Sequence, residues 1–412
     1  MNIPTGPYAA LKLPDFRLFV SARFCITLAI QVQSVVVAWQ VYELTGDPLS
    51  LGLIGLAEAI PSIGVSLYAG HFADIVPRKK IILTCLATLL FCSGALLFFT
   101  LDPGKVILSY GVAGIYTVIF VSGIARGFMT PALFAYMPQL VPRELYNNAI
   151  TWNSTLWQTA ATAGPAIGGF VYGFFGIKVA YGLDVILMSI GLVLAVNVTT
   201  KPLPPVSEEQ GIIEKITAGL KFVFNHQIIL GAISLDLFAV LFGGAVALLP
   251  IFANEILFVG KEGLGVLRSA PAIGAMLMAF YITHHPIRKN TGKTLLYCVA
   301  GFGVSMILFG LSTNFWISLF LLMLSGVFDC VSVIVRGTLL QTLTPENMKG
   351  RVSAVNHIFI GSSNEIGMFE SGVAARLLAV VPSVVFGGCM TLVSVGIVSW
   401  LAKSLRNLQR VH

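Results

Sequence analysis

The chain has 412 residues, of which 56% are hydrophobic and only 10% charged, against about a quarter charged in a soluble globular domain. A mean hydropathy of +0.88 excludes a water-soluble fold and leaves a polytopic membrane protein, with room for about a dozen spans of roughly 20 residues and little else. The net charge of +7 points to a basic membrane face and not to nucleic acid, because the basic residues are spread through short loops one helical hairpin apart.

Residues 1–14 form a polar cytoplasmic head. Spans are predicted over Arg17–Leu44, Leu49–Ala73, Ile81–Leu101, Val106–Met137, Ala149–Phe175 and Val179–Val198, with turns at Thr45–Pro48 and Asp102–Gly104. The composition then changes over residues 200–226. Lys201–Pro205 is stiff and poor in hydrogen-bond donors, and Ser207–Gln210 reads as a helix start. Ile212, Ile213, Ile216, Leu220 and Val223 share one helical face, as in a helix lying along the membrane surface; a solvent-exposed linker helix is the alternative. Six more spans follow over Ile228–Phe258, Gly263–Thr283, Thr294–Leu311, Phe315–Leu343, Val352–Ala379 and Ser383–Leu401, and residues 403–412 form a tail. This predicts bundles over 15–199 and 227–402 joined by a cytoplasmic linker.

Placing both termini in the cytoplasm puts Arg78, Lys79, Lys80, Arg143, Lys201, Lys215, Lys221, Arg288, Lys289, Lys293, Lys349, Arg351, Lys403, Arg406 and Arg410 on that side and only Lys105, Lys178 and Lys261 on the other, as the positive-inside rule requires. The first apolar run is too long for a cleavable signal peptide. The six cysteines lie in apolar runs without Cys-x-x-Cys spacing, and the adjacent His284 and His285 lack further ligands, so neither a disulfide, a metal nor any cofactor is expected.

The two halves repeat one another. Gly55, Pro61 and Gly64 correspond to Gly265, Pro271 and Gly274, and the same offset lays Arg78 and Lys79 on Arg288 and Lys289. At a second offset, Pro142 and Asn153 fall on Pro345 and Asn356, and Gly164 and Gly169 on Gly367 and Gly372. Parallel repeats of this kind build transporters around a central site.

An ionisable residue inside a span costs about 2.5 to 3.5 kcal/mol on insertion scales, so each is a functional candidate until a structural partner is found. The candidates are Glu58, Arg126, Asp236, Arg268, Asp329 and Arg336, with Glu365, Glu370 and Arg376 in the eleventh span. The repeat sets Glu58 against Arg268 and Arg126 against Asp329 with opposite signs, so complementary pairs can form across a central cavity. For carrying a proton the order is Glu58, Asp236, Asp329; static helix pairing is the other reading of any one of them.

The loop after the second span carries a small residue, an acid, a turn and a basic pair. Gly70, Asp74, Arg78 and Lys79 resemble the loop between helices two and three of the major facilitator superfamily, while Ile75 and Pro77 depart from its pattern. An ordinary positive-inside loop is the alternative. Gly164, Pro165, Gly168 and Gly169 resemble the Gly-Pro-x-x-Gly-Gly motif of proton-coupled exporters in that superfamily; small residues let helices approach and Pro165 bends the span. In the family the neighbour is helix eight, and plain small-residue packing is the alternative. Asp15–Phe19, Trp39–Tyr42 and Thr344–Ala354 resemble segments of the branch that holds macrolide efflux proteins and enterobactin exporters.

The resemblance covers nearly the whole chain. It implies an all-α membrane protein of twelve transmembrane helices in two pseudo-symmetric six-helix bundles, the major facilitator fold. It further implies a monomeric secondary transporter of the bacterial inner membrane that exports an amphipathic small molecule, a drug or a siderophore, in exchange for protons. Arg126 then matches the basic residue of helix four that tunes a nearby acid. Asp74 and its loop latch the cytoplasmic side. Gln31, Gln33, Trp39, Gln40, Asn153, Trp157 and Gln158, on helices that line the path in this fold, supply polar and aromatic walls. Lysophospholipid flippases and nutrient or metal carriers share the fold and stay open as alternatives. The lack of a Walker sequence argues against direct use of ATP, and a receptor or an intramembrane enzyme is more remote, because no paired catalytic motif is present.

Overall fold

The computed structural model describes residues 6–101, 111–202, 212–285, 290–345 and 348–409, and these are helical with short connections. The predicted Asp102–Gly104 turn, the Ser207–Gln210 helix start, Lys105, Arg288 and Lys289 lie outside the described residues. The long helices are α1 (Pro14–Thr45), α2 (Pro48–Ile75), α3 (Arg78–Leu101), α4 (Ala113–Tyr136), α5 (Tyr146–Phe175), α6 (Ile177–Val196), α7 (Gln227–Phe242), α8 (Gly260–His284), α9 (Thr291–Leu311), α10 (Phe315–Leu343), α11 (Lys349–Leu378) and α12 (Val380–Leu401). A linker helix covers Ile212–Asn225.

Local chemistry sets the boundaries. Asp47 caps α2, its carboxylate accepting from the Ser50 backbone N–H at 3.2 Å and the Ser50 hydroxyl at 3.1 Å, and Pro48 takes a first-turn position that needs no N–H. Asn314 caps α10 in the same way, accepting from the N–H groups of Trp316 and Ile317 at 3.0 and 3.2 Å. Gly176 joins α5 to α6 at φ +82°, a backbone region that glycine enters without strain.

Ten helical runs among the described residues are long and apolar enough to cross a membrane. Helices α5 and α11 are just as long, 30 residues each, but carry more polar residues, among them Asn147, Asn148, Asn153 and Gln158 in α5 and Asn356, Asn364, Glu365 and Glu370 in α11.

The seventh span, predicted over Ile228–Phe258, runs over Gln227–Ile256 but is not one continuous α-helix. It breaks at Gly243 after Phe242, passes through a 3-10 stretch at Gly244–Leu248, and ends in a π turn at Phe252–Ile256. Two consecutive glycines and Pro250 weaken the helix there. A Cβ at Gly243 would also strike the Ala239 carbonyl and the Phe302 ring.

The chain divides into two units, one of residues through Leu44 with Ala57–Glu208, the other of Thr45–Leu56 with Glu209–His412. The first turns of α2 thus group with the second unit, where Gly52 lies against Gly372 and Gly55 against Met368 and the Glu365 carbonyl. In the first unit, Phe16, Phe19, Leu86 and Met188 build a core from α1, α3 and α6 with α4; in the second, Leu235, Leu295, Leu339 and Leu405 do so from α7, α9, α10 and the C-terminal segment. The linker helix packs on the second unit. Val223 is fully buried with Ile229, Val352 and Val355, and Leu220 lies against them. The apolar face at its C-terminal half is thus covered by protein, while the side chains of Ile212, Ile213 and Ile216 are outside the described residues.

The sequence repeat is also a packing repeat. Gly123 of α4 meets Pro61 of α2, and its equivalent Gly326 of α10 meets Pro271 of α8. Gly164 of α5 meets Gln31 of α1, and its equivalent Gly367 of α11 meets Leu241 of α7. Each unit uses the same small residues to bring the same pair of helices close, as membrane helices do in the absence of a hydrophobic drive between them.

Candidate functional site

The first unit holds a half-buried ion pair between Glu58 of α2 and Arg126 of α4, their side chains 16% and 18% exposed. Gly123, one turn before Arg126, makes it possible: a Cβ there would sit 2.7 Å from the Glu58 carbonyl and 2.8 Å from Pro61. The glycine lets α4 lie directly on α2, and the next turn delivers the guanidinium to the carboxylate. The pairing lies within one bundle.

The second unit has its own pair, placed elsewhere in the repeat. Asp236 of α7 meets Arg336 of α10, with side chains only 7% and 6% exposed. Asp329, two turns before Arg336 on α10, lines a narrow pocket with Asp236, Cys298, Phe302, Phe328 and Ser332. Arg268 of α8 donates to the Val246 carbonyl at 3.2 Å, within the 3-10 stretch where the broken span exposes backbone oxygens. Glu365 and Glu370 are partly buried on α11. Arg376 is 59% exposed and 4.0 Å from Asp47, a surface contact of little energetic weight.

The loop basic residues act as helix caps. Arg78 donates to the Ala135 carbonyl near the end of α4 at 2.9 Å, and Lys79 donates to the carbonyl of Val196, the last residue of α6, at 2.8 Å. Cations at helix C-termini complement the macrodipole and occupy orphan carbonyls. Gly70 and Asp74 fall in the last turns of α2, and their side chains lie outside the described residues. At the same end, Asp15 accepts from the Thr199 N–H at 3.0 Å, from the Thr199 hydroxyl, and from Lys201 at 2.9 Å. Tyr136 donates to the Thr199 carbonyl at 2.7 Å, so α1 and α4 hold the chain where it leaves α6.

Gly164 and Gly168 pack on Gln31 and Val32 of α1 within the first unit. Pro165 and Gly169 sit between and beside them in a helix that continues to Phe175. Of the expected lining residues, Gln31 donates to the Ala161 carbonyl at 3.4 Å and Asn153 accepts from Arg23 at 2.8 Å. Trp157 and Gln158 are exposed on α5. Trp39 is buried, donating to Glu43 at 2.7 Å, and Tyr172 donates to the same carboxylate at 2.9 Å.

Two acids escaped the sequence reading. Glu43 stands near the end of α1 and binds both Trp39 and Tyr172. Asp184 is fully buried in α6 and accepts from Gln33 at 3.1 Å. The signal for Asp184 was available, an acid inside an apolar run; its partner was not, because Gln33 lies in another span.

Among curated proteins, enterobactin exporters are similar to this chain. That of Shigella boydii serotype 18 is 27% identical over 349 residues, 83% of this chain and 80% of that protein; that of Escherichia coli O1:K1 gives the same identity and coverage. Among solved structures, a POT family transporter in complex with 5-aminolevulinic acid aligns with a TM-score of 0.71 at 14% identity, covering 95% of this chain and 96% of that one. A bacterial homologue of the iron transporter ferroportin aligns with a TM-score of 0.69 at 14% identity over 96% and 99%. These likenesses establish the major facilitator fold. The family model described as a transmembrane secretion effector matches residues 5–410. The chain therefore belongs to the transmembrane secretion effector family of the major facilitator superfamily, and is a multi-pass membrane transporter, not an enzyme.

Proposed function

We propose that this transporter exports an amphipathic small molecule of the siderophore or drug class by proton-coupled alternating access of its two bundles. The observation that carries the reading is the half-buried Glu58–Arg126 pair in a chain whose similar curated proteins are named as exporters of a siderophore. Burial favours the neutral form of an acid and an adjacent cation favours the ionised form, so a substrate that disturbs the pair drives proton exchange at Glu58. Asp236 and Asp329 follow as carriers, with Arg268 and Arg336 as their basic counterparts. Gln31, Asn153, Trp157 and Gln158 contact the substrate, and the Gly70–Lys80 loop latches the cytoplasmic side through Asp74. The setting is a monomer in the bacterial inner membrane with both termini in the cytoplasm.

The test uses proteoliposomes loaded with a pH dye and challenged with catecholate siderophores, amphipathic drugs and lysolipids. Substrate-triggered proton flux should be lost in Glu58→Gln, and Asp74→Asn should stop transport while remaining in the membrane. Flux retained in Glu58→Gln moves the proton to Asp236. Substrate movement without protons overturns the coupling, and wild-type flux in Asp74→Asn overturns the latch.

A further inference from the structure

The first bundle buries a second acid that takes no part in the Glu58–Arg126 pair. Asp184 has 0% exposure. Its Oδ2 accepts from Gln33 Nε2 of α1 at 3.1 Å, and the same amide nitrogen reaches Ser93 Oγ of α3 at 3.3 Å. The Ser93 hydroxyl lies alongside the carboxyl. Oδ1 has no hydrogen-bond partner among the described residues.

The groups around it are mostly neutral. From α3 come Ser93 and the Cys92 thiol. From α6 itself comes Tyr181, whose hydroxyl donates to Gln40 of α1 at 2.6 Å. Tyr172 of α5 stands beyond Tyr181, bonded to Glu43 of α1. Among the described residues, Arg126 of α4 is a charged group whose field reaches Asp184, and its guanidinium is bonded to Glu58.

A carboxylate held by one amide and one serine hydroxyl, with one bare oxygen and no cation bonded to it among the described residues, is costly inside a helical bundle at membrane depth, whereas a neutral acid in the same place costs less. The Gln33 amide carries both a donor and an acceptor, so turning its end group lets it serve either protonation state. We infer that Asp184 is a second proton-binding site of this bundle. The step is the formation of an O–H bond on the carboxyl with a proton taken from water and its return to water, with no other bond made or broken. Arg126 links the two acids. When Glu58 takes up a proton, the guanidinium loses that counter-charge, and its field then favours ionisation of the remaining acid. The use of this site in transport rests on proton-coupled export; its existence does not.

The experiment is infrared difference spectroscopy of the purified protein in lipid, stepped in pH and exchanged into heavy water, reading the carbonyl band of a protonated carboxylic acid. The expected result is a band that disappears in Asp184→Asn and changes frequency in Gln33→Met, which removes the hydrogen bond and leaves the acid in place. Gln33→Met also covers the case in which Asp184→Asn does not fold. A band unchanged in both variants overturns the inference. In the same lipid, substrate-triggered proton flux should be lost in Asp184→Asn, and flux equal to wild type overturns the coupling of this site. The band is read without substrate. Wild-type protein that shows it but gives no substrate-triggered flux refutes proton-coupled export and still supports the proton site.

Discussion

Replacing Arg336 with Met tests how the second bundle holds its buried charge. Methionine fills much of the space of the arginine stem, but Asp236 keeps a side chain only 7% exposed with its cation gone. Removing one member of a buried pair costs about 3–5 kcal/mol, because the survivor keeps its desolvation penalty and loses its Coulomb partner. At about 2–4 °C per kcal/mol for a unit of this size, the melting temperature should fall by about 6 °C or more. The double variant Asp236→Asn with Arg336→Met should recover most of that loss, since replacing both charges by neutral groups is nearly without cost. Thermal melts of the detergent-solubilised protein, followed by tryptophan fluorescence, separate this from any effect on transport. A single variant that melts with wild type, or a double variant as unstable as the single, would refute the argument.

Gly164→Leu should destabilise the first bundle by about 1–3 kcal/mol and lower transport, because its side chain must displace Gln31 of α1. Gly182→Ala, with nothing within 4 Å of the added carbon, should stay within about 0.5 kcal/mol of wild type in the same melts. Asp15→Ala removes the acceptor shared by Thr199 and Lys201, and limited proteolysis should then cut the segment between the bundles faster than in wild type; an unchanged rate would show that Tyr136 alone holds Thr199.

The residues available for a site were largely legible in the chain. Glu58, Arg126, Asp236, Arg268, Asp329 and Arg336 stand out because each interrupts an apolar run. Their partnerships were not legible. Glu58 and Arg126 are 68 positions apart, and nothing local in either helix says that they meet. The decision lies with Gly123, whose missing side chain sets the distance between α2 and α4. Nor does anything local in α5 say that Gly164 and Gly168 rest on Gln31 and Val32 of α1.

Composition and periodicity alone determined that the protein lives in a membrane, where its long helices run, and that one half repeats the other, because these are properties of short stretches and of total polarity. Tertiary structure alone decided that the seventh span breaks at Gly243 against Phe302, and that the linker helix buries Val223 on the second unit. It also sealed Asp184 between Gln33 and Ser93. Each of these depends on the axial register of one helix against another, a rotation or a slide that leaves the hydrophobic pattern unchanged while altering which polar atoms come within reach.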